Sequence, residues 1–200
     1  MRAHLICALA VLPVVAGCRP SPPASTLEQG PTVTKTREPL PLVQLLDSLN
    51  FDGRDMTFRV DKSDRRFAVF AGEHLLRTYP CVLGEVPEGD KQMQGDRRTP
   101  EGEFGIRSKR MHEKWHAFVW VDYPNAESRR RFAERKRTGA IPAGAAIGGE
   151  IGIHGVPEGM DHWIDMGQDW TWGCIALRNA DLDEIYPFIT SGRTRISIVP

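Results

Sequence analysis

The sequence predicts a mainly β domain carrying a few peripheral α-helices, and three observations carry that expectation. From Met56 onward, short segments alternate or run apolar between turn signals, which is the pattern of strands with a buried face. Gly (19) and Pro (15) are abundant in a chain of 200 residues, which suits short strands and many turns better than a helical bundle. No period of 20 to 50 residues repeats, so solenoids and propellers fall away. The charge balance narrows the field further. With 26 Lys+Arg against 26 Asp+Glu and a pI near 7.0, no global basic field gathers nucleic acid, and no run of 18 apolar residues offers a membrane-spanning helix.

Taken in order, residues 1–17 read as an export signal. Arg2 supplies a positive start, Leu5 to Ala16 an apolar stretch of 12, and Val15-Ala16-Gly17 the small residues of a cleavage site. The ending Val15-Ala16-Gly17-Cys18 resembles a bacterial lipoprotein signal, which implies acylation of Cys18 and a lipid anchor in the membrane. Arg19, rather than Asp, follows the cysteine, and by the same resemblance this implies sorting to the periplasmic side of the outer membrane. Residues 18–38, rich in Pro, Ser and Thr, read as a flexible tether. Leu42, Leu45, Leu46 and Leu49 then lie at i, i+3, i+4 and i+7, so residues 39–55 are expected to hold a short docking helix and its connection.

The domain proper is expected over 56–200. TFRV, RFAVFA and LLRTYPCVL read as three strands in hairpin-like succession, with AFVWV, EIGIHG and TRISIV as later strands. Asn125 is placed to cap a helix AESRRRFAERKR, and Asn179 to cap ADLDEIYPFI. The stretch Gly84 to Phe104 reads as a charged loop of tight turns; no GKS or GKT ending makes it a phosphate cradle.

Three groupings of residues bear on chemistry. His112-Glu113-Lys114-Trp115-His116 matches the H-E-x-x-H zinc motif, but that motif needs a helix, and the strand-like AFVWVDYP follows at once. Cys81 and Cys174 remain after removal of the signal and lipidation of Cys18; in an exported protein two thiols are commonly a disulfide. The third grouping is Ile153-His154-Gly155, with Trp172-Gly173-Cys174 beyond it. Cysteine catalysis needs a base within reach and backbone amides where an oxyanion forms, and His154, Gly155, Gly173 and Cys174 could supply these. A core histidine and an inert or bridged cysteine are the competing account, and zinc on His154, His162 and Cys174 matches no standard ligand spacing.

Taken together, TFRVDKSDRRFAVF, LLRTYPCVLG, GDKQMQGDRRTPEGEF, DYPN, IGIHG and DWTWGCIALRN resemble the L,D-transpeptidase catalytic domain of the YkuD type, in a branch with a W-T-x-G-C-I-A site. The resemblance implies a β-sandwich or barrel-like fold and cysteine acyl transfer on peptidoglycan stem peptides, with no cofactor or metal and no nucleic-acid partner. It implies Cys174 as nucleophile, His154 as base, Gly155 beside it with a carbonyl that orients the ring, and the Gly173 and Cys174 amides as oxyanion site. Thr171, Trp172 and Arg178 are the accompanying candidates for substrate binding. Many members read S-H-G-C where this chain reads T-W-G-C, and Ala176 stands where they carry an arginine. The resemblance leaves open the acceptor: a neighbouring stem, an outer-membrane lipoprotein substrate, or water in a carboxypeptidase or amidase. A catalytically silent peptidoglycan-binding lipoprotein is the further alternative.

Overall neutrality hides an asymmetry. Residues 107–137 hold ten Lys/Arg against four Asp/Glu, whereas 150–184 hold eight acids against Arg178 alone. Arg129, Arg130 and Arg131 read either as a solvated helix face or as a cationic rim for substrate carboxylates.

Overall fold

Strand β1 (Met56–Asp61) pairs antiparallel with β2 (Arg66–Ala71), which pairs antiparallel with β3 (His74–Pro80). This is the expected three-strand succession. Phe58, Val60, Phe67 and Val69 point to one buried face, where the Phe58 and Phe67 rings lie 5.0 Å apart. Each such side chain contributes about 1.5 to 3 kcal/mol by leaving water. The chain is seen here in a computed structural model describing residues 40–200; the expected signal at 1–17, Cys18 and the tether at 18–38 lie outside the described residues.

The sheet continues through β4 (Gly102–His112), β5 (His116–Val121), β6 (Gly152–His154), β7 (Ile175–Ala176) and β8 (Arg195–Val199). Its order is β3-β2-β1-β8-β4-β5-β6-β7, a single curled eight-stranded sheet shaped as half a barrel. Strand β8 runs parallel to β1 and antiparallel to β4, so the two halves of the sheet meet on it. Four short helices flank the sheet: α1 (Leu42–Ser48), α2 (Ala126–Arg137), α3 (His162–Asp165) and α4 (Asn179–Ile185). Leu42 and Leu46 of α1, one turn apart, join the core that also takes Leu182 and Ile185 of α4.

Several expectations are corrected. Strand β4 begins inside the charged loop expected over Gly84 to Phe104 and runs on through His112, with Phe104, Gly105 and Ile106 buried and charged residues beyond them. H-E-x-x-H is the turn of the β4–β5 hairpin: His112 pairs with His116, and His112 Nδ1 accepts the amides of Lys114 (3.1 Å) and Trp115 (3.2 Å). The zinc-helix reading therefore fails on geometry. Asn125 caps α2 as expected, its side chain accepting the Ser128 amide at 2.9 Å. Asn179 does not cap α4; its side chain holds Val156 instead, accepting from N at 2.9 Å and donating to O at 3.1 Å. No disulfide forms: Cys81 and Cys174 are both free, and burial pushes the Cys81 thiol up to about 12.

Candidate active site

The register of two short ladders positions the two residues expected to carry chemistry. Phe118 of β5 opposes His154 of β6, and Ile153 opposes Ile175 of β7. Side chains alternate across a sheet, so Val119, Ile153 and Ile175 fill the core behind. His154 and Phe118 face the other way. Continuing the parallel register one residue back from Ile175 sets Cys174 opposite Gly152, so the thiol and the imidazole share that second face, two residues apart.

His154 is held by both its ring and its nitrogen. Phe118 stacks on it at 5.6 Å, and Trp115 and Trp170 approach at 5.1 and 5.7 Å. Nδ1 lies 2.6 Å from the Gly155 carbonyl oxygen, which can only accept, so Nδ1 carries the proton and Nε2 keeps its lone pair free. Burial pulls the pKa down to about 4, opposed in part by the Gly155 hydrogen bond. The ring is therefore neutral near pH 7, the state a base requires.

A testable consequence concerns stability. The folded pKa of about 4 lies below the ordinary value of 6.5, so between these values the unfolded chain binds the proton that the folded chain refuses. Stability is accordingly lost as pH falls from 6.5 to 4, by on the order of 3 kcal/mol for this one group. Urea titrations of wild type and His154→Gln across that window should differ in slope by about one proton. Parallel slopes would contradict the buried neutral ring.

Cys174 sits at the end of a loop tied by Thr171. The Thr171 hydroxyl donates to the Cys174 carbonyl at 2.7 Å and accepts the Gly173 amide at 3.2 Å. Between them Gly173 takes a φ of 123°, and a Cβ there would press within 2.6 Å of the Arg98 carbonyl oxygen. The Leu83 and Thr171 backbones bond at 3.0 Å, anchoring the loop to the chain leaving β3. Thr171→Val leaves the Gly173 amide and the Cys174 carbonyl without this partner. It should cost about 1 to 3 kcal/mol by denaturant titration, and an unchanged midpoint would mean that the tie is dispensable.

The thiol opens into a cleft of about 430 Å³ lined also by Lys91, Arg97, Glu150 and Trp172. Cys174 Sγ lies 3.5 Å from the Glu150 carbonyl oxygen. Burial raises its pKa to about 11; the Gly152 backbone and Lys91 act the other way, and Glu150 adds to the rise. At neutral pH the pair thus rests as thiol and free imidazole.

The structure sorts the remaining candidates. Trp172 is 73% exposed at the cleft rim, with the Arg97 guanidinium 4.6 Å from its ring centre. Thr171 is buried and its hydroxyl is engaged by the loop, which leaves it the role of a tie rather than a substrate contact. The Gly173 amide, expected to point at an oxyanion, donates to Thr171 instead. Arg178 reaches Asp165 and Asp181 and does not line the cleft. Trp163 and Trp170 pack edge to face at 5.3 Å and line a groove with Met166 and Gln168. Arg130 pairs with Glu127 on the exposed face of α2, while Arg131 and Arg135 both grip Asp90 of the loop before β4, at 3.0 and 2.7 Å. Sequence reasoning missed Lys91 and Glu150 as cleft residues, because contacts that span the fold leave no spacing signal. Among the described residues no three His, Cys, Asp or Glu side chains converge as a metal site.

A thiol, a tautomer-fixed imidazole on the same sheet face and an open cleft make an arrangement suited to acyl transfer. One solved structure agrees on the fold. A mutant of the helical cell shape determining protein Pgp2 from Campylobacter jejuni superposes with a TM-score of 0.50 at 22% identity, covering 74% of this chain and 47% of that one. Bd1075 from Bdellovibrio bacteriovorus gives 0.49 at 22% identity over 72% and 48%, and L,D-transpeptidase 1 from Mycobacterium tuberculosis 0.44 at 18% over 72% and 62%. The chain spans about half the length of the first two. No curated protein matches it. The family model for the L,D-transpeptidase catalytic domain, YkuD, matches residues 55–198, and with that match the chain belongs to the YkuD family of L,D-transpeptidase catalytic domains.

Proposed function

We propose that this domain is a peptidoglycan L,D-transpeptidase that works through a cysteine acyl-enzyme. The observation that carries the reading is the shared sheet face of Cys174 and His154, with Nδ1 tied to the Gly155 carbonyl and Nε2 left to take a proton. His154 Nε2 accepts the thiol proton as sulfur attacks the carbonyl at the L-centre of meso-diaminopimelate in a stem tetrapeptide. The carbonyl electrons move to oxygen, then return as the bond to D-alanine breaks, and His154 hands its proton to the leaving amine. A thioester remains on Cys174. Attack by an amine of a neighbouring stem gives a 3-to-3 cross-link; attack by water gives the tripeptide, and the same chemistry on a lipoprotein linkage gives release.

Two measurements test the reading. Intact protein incubated with tetrapeptide muropeptides or a carbapenem should gain the mass of an adduct at Cys174, and a chain that never gains it is not an acyl-enzyme. Mass spectrometry of the muropeptides then names the acceptor: dimer, tripeptide or freed lipoprotein. Export and acylation at Cys18, on the periplasmic side of the outer membrane, belong to the same proposal; Cys18→Ala should move the protein from the membrane fraction to the soluble one.

A further inference from the structure

Acyl transfer places negative charge first on sulfur and then on the carbonyl oxygen, and a site must answer that charge with donors aimed in advance. One of the two amides expected to do so, that of Gly173, is engaged by Thr171. A different donor lines the same cleft. Lys91 is 4% exposed, and its ammonium donates to Asp96 Oδ1 at 2.7 Å. Asp96 is itself fixed by the backbone: Oδ2 accepts the amides of Gln92 (2.5 Å) and Met93 (3.1 Å), and Oδ1 that of Arg98 (3.1 Å). The carboxylate is therefore saturated, while the ammonium has three N–H groups and spends one on Asp96. A buried ion pair contributes little net stability, so stability alone gives no reason for placing one in the wall of this cleft.

The charges around the sulfur are few. His154 shares its sheet face; Glu150 lies beside it and pairs with Arg107 at 3.6 Å; Arg97 stands at the rim over Trp172 and pairs with Glu85 at 2.5 Å. Lys91 and Arg97 are the cations that line the cleft with Cys174; of these Lys91 acts to lower the thiol's pKa, and Glu150 acts to raise it.

We infer that Lys91, aimed by Asp96, is the charge-stabilising residue of this site, favouring anionic sulfur at Cys174 and then the oxyanion of the acylation step. The inference rests on the proposed acyl-enzyme reading. No bond forms or breaks on Lys91: the thiol proton goes to His154, the sulfur pair to the carbonyl carbon and the carbonyl pair to oxygen, while the ammonium answers the charge at each stage.

The test reads the sulfur directly. Alkylation of Cys174 in the full chain by iodoacetamide, followed peptide by peptide across pH 6 to 11 (a range of about five units spanning the ordinary thiol pKa), compares wild type with Lys91→Met, Lys91→Arg and Lys91→Met/Asp96→Asn. Lys91→Met should slow alkylation at pH 8 by about three- to tenfold, and Lys91→Arg should restore the rate. The double variant leaves no lone buried carboxylate and decides the matter if Lys91→Met does not fold; it too should be slow. Superimposable pH profiles in wild type and the double variant overturn the inference, as does a Cys174 that no variant renders reactive. Absence of an acyl adduct in wild type, with the alkylation difference intact, would sink the acyl-enzyme reading and not the field of Lys91.

Discussion

Cys174→Ala is expected to abolish covalent adduct formation with muropeptides and carbapenems and to lower turnover by on the order of 10³-fold or more. The expectation follows from the chemistry of the group removed. Nothing else among the residues lining the cleft combines a polarisable nucleophile with a neighbouring neutral imidazole on the same face. Cys174→Ser should fail almost as completely, because a hydroxyl is far harder to deprotonate and His154, with its pKa near 4, is a weak base. Both variants should fold, since the thiol's hydrogen bond to the Glu150 carbonyl is long, at 3.5 Å, and both replacements are small. Product analysis against a melting curve separates lost chemistry from lost structure. Equal product from wild type and Cys174→Ala would remove the nucleophile from the account.

Gly155→Ala should have the second-largest effect, and it should touch stability and rate together. A methyl group at this position would overlap Asn179 Oδ1 and lie 3.0 Å from both the Trp115 carbonyl and His116 Cβ. All of these are already committed: Asn179 holds Val156, the Trp115 carbonyl accepts the Gly155 amide at 3.0 Å, and His116 closes the β4–β5 hairpin. Relieving the overlap means breaking the Asn179 clasp or shifting the turn, at a cost of about 3 kcal/mol. The same shift moves the Gly155 carbonyl that fixes the His154 tautomer, so acylation should slow by roughly 10 to 100-fold even in the folded fraction. Denaturant titration and single-turnover acylation measured on one preparation check both halves. If the midpoint and the rate both survive, the close packing at Gly155 is not what holds the ring.

How much could be read beforehand depended on whether a residue's environment is local. RFAVFA announced β2, whose six residues are the strand observed, and Leu42 and Leu46 announced the buried side of α1. Strand β4 was not legible: past Ile106 its residues are exposed or half-exposed, and pairing with β5 rather than burial holds them straight. An alternation of apolar residues cannot appear where neither face is covered. The site divides in the same way. Cys174 and His154 were legible as residue types with a chemical task, and their common face comes from a register that the glycine and isoleucine neighbours only hint at. Thr171, Gly173 and Arg178 took roles at the level of motif that hydrogen bonds to Cys174, Thr171 and Asp165 reassign. Lys91 and Asp96 read only as members of a charged loop with no obvious catalytic pair, because their pairing says nothing about a cleft until the loop closes beside residues 149–151.

Strand β8 has a consequence for how the protein is made. Thr57 aligns with Arg195 and Asp61 with Val199, so a segment near the start of the domain waits for one near its end, and β4 waits for the same segment on its other side. Contacts this distant along the chain close slowly. During synthesis the two half-sheets emerge as separate pieces with raw edges facing each other, and they become one body only when β8 slides in between like a keystone. Such a domain stays pliable until that strand is available to both halves.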